Sequence, residues 1–392
     1  MSEQQTAYVS NPVTAHVFRT TPRYVQAPGL IDRSADYLAP LKVKRCAVLC
    51  TPRSQKGEGA RLLAALDKAG IDARVTTFGG ECSFREIEAR TAELREQGPL
   101  DALIALGGGK TLDAGKCIAE RLEVPVVIMP TLASNDAPCS ALSVIYTAEG
   151  ATETYEVFAQ NPALVMVDTE IVAQAPVRFL VAGMGDAMST WYEARACQTN
   201  PAGISPYGDR PTLAGVALSE TCANILYAHG VDALEAVKAG QLNAAVEHVV
   251  EANTLLSGAG FECTGVAGAH ALAQALTLLP EVDHNYLHGE MVAIGTLTQL
   301  MLEKDQVEAR RCGRLFAQVG LPVSFAQLDM SLADETAVNT LIEATLAFPF
   351  IGNMAVEVTP DSLRQAFAEV ERQGEQLLGE LGDAAYRSLH GK

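Results

Sequence analysis

The sequence lacks a positive surplus. Its 392 residues hold 29 Lys and Arg against 47 Asp and Glu, a formal net charge of -18, and no basic stripe interrupts that excess. Nonspecific binding of nucleic acid or anionic lipid is a sum over cationic contacts, so neither partner is expected. No apolar run approaches the ~18 residues of a membrane helix, and residues 1–19 carry no apolar stretch of the secretory kind. Nine cysteines, at 46, 50, 82, 117, 139, 197, 222, 263 and 312, fit neither a disulfide framework nor a zinc ribbon, since only Cys46 and Cys50 are close. Thiols scattered through apolar runs act as small buried hydrophobes in a reducing compartment, which makes a cytoplasmic protein the expectation. Fixed-period repeats and low-complexity tracts are absent too. Any phosphate this chain holds must be held locally, against an unfavourable overall field.

What is present is apolar bulk: 48% hydrophobic residues over a length of two to three domains. From about residue 40 to 131, short β-rich runs alternate with helix-period segments. The runs are Arg45 to Cys50, Ala73 to Phe78, Ala102 to Leu106 and Val124 to Pro130, separated by Gly57 to Ala69, Ser83 to Gln97 and Lys110 to Leu122. A further run, Ala163 to Val167, ends at Asp168. This alternation predicts an α/β fold, a Rossmann-like parallel sheet clothed by helices, with ligands at the carboxyl ends of its strands. Beyond Pro176 the texture becomes long Ala/Leu-rich helical segments. The expected organisation is an α/β domain over 1–170 and an all-helical domain over 171–392, with the active cleft between them.

Directly after the strand Ala102 to Leu106 comes Gly107-Gly108-Gly109-Lys110-Thr111-Leu112-Asp113, opening a helix. Glycines let backbone N–H groups approach a phosphate, and the start of a helix attracts it, although a tight turn would use the same residues. The P-loop pattern fails because Ile104 stands where glycine is required, and the dinucleotide fingerprint GxGxxG fails at Leu112. The next strand leads into Pro130 to Tyr146, rich in Thr, Ser and Asn with Asp136 at its centre, a polar loop able to bond a cofactor or substrate.

Of seven histidines, four lie between His248 and His288. His284 and His288 are four apart, and His270 precedes His288 by 18 positions; neither His270 nor His284 is followed by Glu as HExxH demands. Asp186 stands near a helix start, where a carboxylate also serves as a cap. Two imidazoles and one carboxylate would make a three-ligand zinc set with an open position.

Phe78 to Ser83 (FGGECS), Gly107 to Asp113, Asp136 to Tyr146, Gly185 to Ala187, Trp191 to Cys197, Glu251 to Asn253 and His288 to Glu290 together resemble the glycerol dehydrogenases. These belong to the metal-dependent alcohol dehydrogenase superfamily that also includes dehydroquinate synthase, and the resemblance spans nearly the whole chain. It implies a metal held by Asp186, His270 and His288. It also implies nicotinamide-cofactor contacts at Gly107, Gly108, Lys110, Asp113, Thr131, Ser134, Ser140, Leu142 and Tyr146, with Gly109 completing the glycine loop, and a substrate hydroxyl bound by Asp136. Asp136, Asp186, His270 and His288 are then the catalytic set. His284 is a pocket-lining group or a carboxylate's partner. Iron-dependent sisters carry a further His four residues after the Asp; Thr190 stands there, which favours zinc. A homo-oligomer, such as an octamer, is also implied.

Two departures from the pattern matter. NAD-using members carry an Asp for the adenine ribose where this chain has Thr51, followed by Arg53 and Lys56. Arg53 could grip a 2′-phosphate, or Arg53 and Lys56 are solvated loop charges, so either NAD or NADP is the expected cofactor. Phe348 and Phe350 beside Asn353-Met354 suggest a more apolar pocket wall or ordinary core packing. The reaction expected is interconversion of glycerol or a related vicinal diol with its hydroxyketone or aldehyde. The alternatives are an NADPH-dependent reductase of another functionalised carbonyl and a dehydroquinate-synthase-like lyase.

Overall fold

The structure, a computed structural model, describes residues 14–148 and 150–391. It divides into two compact units. One comprises Thr20–Leu180 with Asp232–Gly258; the other comprises Val181–Val231 and the chain from Ala259 onward, joined by the described residues up to Arg19.

The first unit is built on a six-stranded parallel sheet of order β1-β8-β5-β4-β2-β3. Its strands are β1 (Tyr24–Ala27), β2 (Arg45–Cys50), β3 (Asp72–Thr77), β4 (Ala102–Gly107), β5 (Val126–Pro130) and β8 (Leu164–Asp168). The strand side chains alternate between two buried faces. Cys46, Val48, Ile104, Leu106, Val127, Met129, Leu164 and Met166 join Leu30, Ile31, Leu62 and Leu66 in one core. On the opposite face Ala105 meets the helix Gly109–Leu122, where a Cβ on Gly115 would sit 2.4 Å from that of Ala105. Burial of both faces is why these strands read as unbroken apolar runs, and the parallel-sheet expectation is borne out. The edge strand β1, only four residues long, was not legible.

Pro130 to Tyr146 is a loop for most of its length, but it ends in strand β6 (Leu142–Tyr146), paired antiparallel with β7 (Thr152–Val157). The alternation was masked because the inward position Ser143 is polar; its hydroxyl donates to the Asp113 carbonyl at 3.0 Å.

The second unit is helical, as expected. Its principal helices include Val177–Thr199, which enters from the first unit, and Gly268–Leu276, His288–Leu302, Gln306–Val319 and Pro360–Leu381. The nine cysteines are buried thiols outside any disulfide. Burial pushes Cys46 up to about 12 and Cys50 and Cys263 up to about 11. No helix among the described residues is long and apolar enough to cross a membrane.

Candidate active site

In the helical unit three helices each deliver one donor to a common point. Asp186 comes from Val177–Thr199, His270 from Gly268–Leu276 and His288 from the first turn of His288–Leu302. Close backbone approach brings the helices together. A Cβ on Gly289 would lie 1.8 Å from the Ala182 carbonyl oxygen, one on Gly185 2.3 Å from the Gly289 carbonyl oxygen, and one on Gly295 2.1 Å from the Ala269 carbonyl oxygen. His270 Nε2 and His288 Nε2 lie 3.5 and 3.4 Å from the same Asp186 oxygen, with the two rings 5.5 Å apart. All three donor atoms fall within 4.8 Å of one another.

A fourth residue holds this arrangement. Glu193, fully buried, accepts from His270 Nδ1 at 2.6 Å with one oxygen and from the amides of Ala267 and His270 at 2.6 and 2.9 Å with the other. It caps the helix and turns His270 Nε2 toward Asp186. Burial would raise the Asp186 pKa, but the imidazoles of His288 and His270 outweigh it and hold the carboxyl below its usual range. Burial likewise opposes charge on His270, yet Glu193 and Asp186 raise its pKa well above the ordinary value. Two buried carboxylates around two imidazoles make a negative pocket with basic nitrogens turned inward, and this donor set fits a divalent metal. His284 lies exposed on Pro280–Asn285, outside the donor cluster.

In the sheet unit the glycine loop emerges at the carboxyl end of β4, with Gly108 capping the helix that begins at Gly109. Gly107 is a matter of space, since a Cβ there would meet Thr111 Oγ1 at 2.8 Å, and its carbonyl accepts from Thr131 N at 2.9 Å. Lys110 Nζ contacts both oxygens of Glu81 at 2.7 Å and lies 4.6 Å from the Tyr146 ring centroid. Glu81 therefore ties the FGGECS segment to the loop, a role its position in the chain does not announce. Asp113 is turned inward: its carboxylate accepts from Val144 N and pairs with Lys116, whose ammonium also donates to the carbonyls of Ala137 and Leu142. Burial raises the Asp113 pKa, and Lys116 opposes the rise. Ser140 is buried near Lys116, while Thr131, Ser134 and Leu142 are half-buried along the loop. Thr51 caps the short helix Pro52–Lys56 by accepting from Ser54 N, and Arg53 is exposed beside it.

Asp136 also belongs to the sheet unit. Its Oδ2 accepts from Ser257 Oγ at 2.9 Å. Ser257 follows a π-helical turn, Ala252–Leu256, in which Asn253 Nδ2 donates to the carbonyls of Ala133 and Leu180 at 2.9 and 3.1 Å. Such turns add a residue to the helical register and recur at functional sites. Apart from the Glu251 to Asn253 motif, nothing in the sequence marks this one.

Residues 21–169 match the iron-containing alcohol dehydrogenase family. Over 366 residues the chain is 42% identical to a glycerol dehydrogenase of Escherichia coli O6:H1, covering 93% of this chain and 99% of that one. It is 40% identical over 315 residues to a glycolaldehyde reductase of Halobacterium salinarum, covering 80% and 86%. The crystal structure of a probable glycerol dehydrogenase from Sinorhizobium meliloti 1021 matches with a TM-score of 0.85 at 41% identity, covering 92% of this chain and 100% of that one. Likeness over the whole length, with the donor triad in place, defines the class: the chain belongs to the iron-containing alcohol dehydrogenase family. Within it, this is an alcohol dehydrogenase of the glycerol dehydrogenase type, for which a metal and a nicotinamide-type cofactor are implied.

Proposed function

We propose that the enzyme interconverts glycerol or a related vicinal diol with its hydroxyketone or aldehyde, using zinc and a nicotinamide dinucleotide. The donor set carries this reading. Asp186, His270 and His288 are three ligands, and Thr190, fully buried, stands where a fourth imidazole would complete an iron-type set, so a four-coordinate metal keeps one position for a substrate oxygen. When bound, the metal supplies a Lewis acid that lowers the pKa of a substrate hydroxyl, and the nicotinamide ring exchanges hydride with the carbon bearing it. The chain's own part is positional. Glu193 fixes the tautomer and orientation of His270, Asp136 accepts a second substrate hydroxyl while Ser257 fixes one of its oxygens, and the amides at Gly108 to Lys110 receive phosphate.

Thr51 supports acceptance of NADP beside NAD. Its hydroxyl is spent on the cap to Ser54, no carboxylate stands there to repel a 2′-phosphate, and Arg53 is exposed two residues on. The likeness to a glycolaldehyde reductase supports a second reading, physiological reduction of a small functionalised aldehyde. A cytoplasmic homo-oligomer fits both readings, with Leu213 and Val307, 81% and 79% exposed, as apolar contact points.

The test is a panel of diols, hydroxyketones and aldehydes followed by nicotinamide absorbance, on chelator-stripped protein reloaded with zinc or ferrous iron. Zinc is expected to restore turnover; restoration by iron alone overturns the zinc assignment. Arg53→Ala is expected to lower kcat/KM with NADPH and not with NADH, and an unchanged NADP preference removes the phosphate grip.

A further inference from the structure

The three donors are unequally held. Asp186 is fully buried and His270 is fixed by Glu193, but the His288 side chain is 47% exposed and rests against Asp186 and the His270 ring. His288 therefore stands where its backbone puts it, in the first turn of a helix. Two residues on, Glu290 fastens that turn: its Oε2 accepts from Leu287 N at 2.8 Å. The other oxygen of Glu290 lies 3.0 Å from Nε2 of His390, almost at the end of the chain, and both side chains are nearly inaccessible, at 1% and 3% exposure.

His390 is itself tightly placed. Its Nδ1 lies 2.8 Å from the Tyr386 carbonyl, and its ring stacks on that of Tyr386 at 4.0 Å. Tyr386 bonds through its hydroxyl to the Gln327 carbonyl and lies 3.4 Å from the hydroxyl of Tyr286, which donates to Asp329 at 2.7 Å. The ring thus meets a carbonyl oxygen at Nδ1 and a carboxylate oxygen at Nε2, so both of its nitrogens are engaged. A hydrogen bond to a carboxylate in so dry a place is directional and strong.

We propose that His390 is a positioning residue for the metal centre: the C-terminal helix Ala384–His390 grips Glu290 and so fixes the turn that presents His288. The inference rests on the reading of Asp186, His270 and His288 as a metal site. It gives the helix Ala384–His390 a function that the donor motif, 100 residues earlier, does not disclose.

Zinc affinity measured by chelator competition on the purified enzyme, with the melting temperature of the stripped protein alongside, tests it. Outer partners of metal ligands are typically worth about 10–100-fold in affinity, and His390→Leu, acting through one further residue, is expected at the lower end, about tenfold. His390→Gln, whose amide reaches the place of Nε2, is expected to recover most of that loss. Glu290→Gln keeps an acceptor for Leu287 N and leaves the terminal helix intact, and it is expected to reproduce the loss even if His390→Leu does not fold. Adding Glu290→Gln to His390→Leu is expected to cost no more than either alone. Unchanged zinc affinity in both single variants, with only a lower melting temperature, overturns the proposal while Asp186→Asn still abolishes binding. Unchanged affinity in Asp186→Asn overturns the metal reading itself, and this proposal with it.

Discussion

The fully buried Glu193 has its Oε2 2.6 Å from His270 Nδ1, while the other oxygen of the same carboxylate closes the start of the helix that carries His270. One group thus sets both the backbone and the ring of a metal ligand. Glu193→Gln replaces an acceptor with an amide N–H that faces either Nδ1–H or the helix amides, and one of these contacts is lost. The expected result is a loss of about 10–100-fold in metal affinity, read by chelator competition. Affinity at the parent level would show that packing alone holds the ring.

The hydroxyl of Ser257 reaches Asp136 Oδ2 at 2.9 Å from the end of a π-helical turn. Removing it in Ser257→Ala deletes one hydrogen bond to Asp136, worth ~1 kcal/mol, which is about a fivefold change. The fall is expected in kcat/KM for diols, with metal affinity unchanged because the donor triad is untouched. Equal kcat/KM for the variant and its parent would sever Asp136 orientation from turnover.

Gly289 admits no side chain, because its Cβ would sit 1.8 Å from the Ala182 carbonyl oxygen. The clash is with backbone, which cannot rotate away as a flexible side chain would. Gly289→Ala is expected to cost about 3 kcal/mol, seen as a lower urea midpoint, and to separate the Asp186 and His288 helices enough to weaken metal binding. Gly352, with nothing near its Cβ position, serves as the control: Gly352→Ala is expected to leave the midpoint nearly in place.

Arg121 and Glu156 form a two-pronged pair, Nη2 to Oε1 at 2.7 Å and Nη1 to Oε2 at 3.0 Å, between the glycine-loop helix and β7. The bond to Arg121 lowers the Glu156 pKa against the opposing effect of burial. A carboxyl with a lowered folded-state pKa stabilises above its unfolded value and loses that contribution as pH falls through the folded one. The stability difference between the parent and Glu156→Gln is therefore expected to be about 1 kcal/mol or less at neutral pH and to shrink below pH ~4.3. A difference independent of pH would deny the pair its electrostatic character.

The central strands could be read from the sequence because both faces of the sheet are buried, which leaves runs such as Val126–Pro130 nearly free of polar residues. The helical segment read over Ser83 to Gln97 falls at Phe84–Glu96, with Ser83 closing its start through Glu86 N. Glu193 escaped detection because a carboxylate within an Ala-rich helix has no periodic signature, and its partner lies 77 residues away. His390 is further still from Glu290, at 100 residues. β6 was hidden by its inward serine, and the π turn by a composition indistinguishable from the α-helix around it. Motifs disclosed the donor triad of Asp186, His270 and His288; the groups that hold it in place came only with the fold.

The nine interior thiols have a use of their own. Burial removes them from solvent and, at Cys46, Cys50, Cys197, Cys263 and Cys312, also suppresses the thiolate, so an alkylating reagent waits for the backbone to open. Cys46 and Cys50 sit in β2, and Cys197 and Cys312 sit on helices of the other unit. The chain thus carries its own set of clocks, and the order in which they stop under native conditions tells whether the sheet or the donor-bearing helices loosen first.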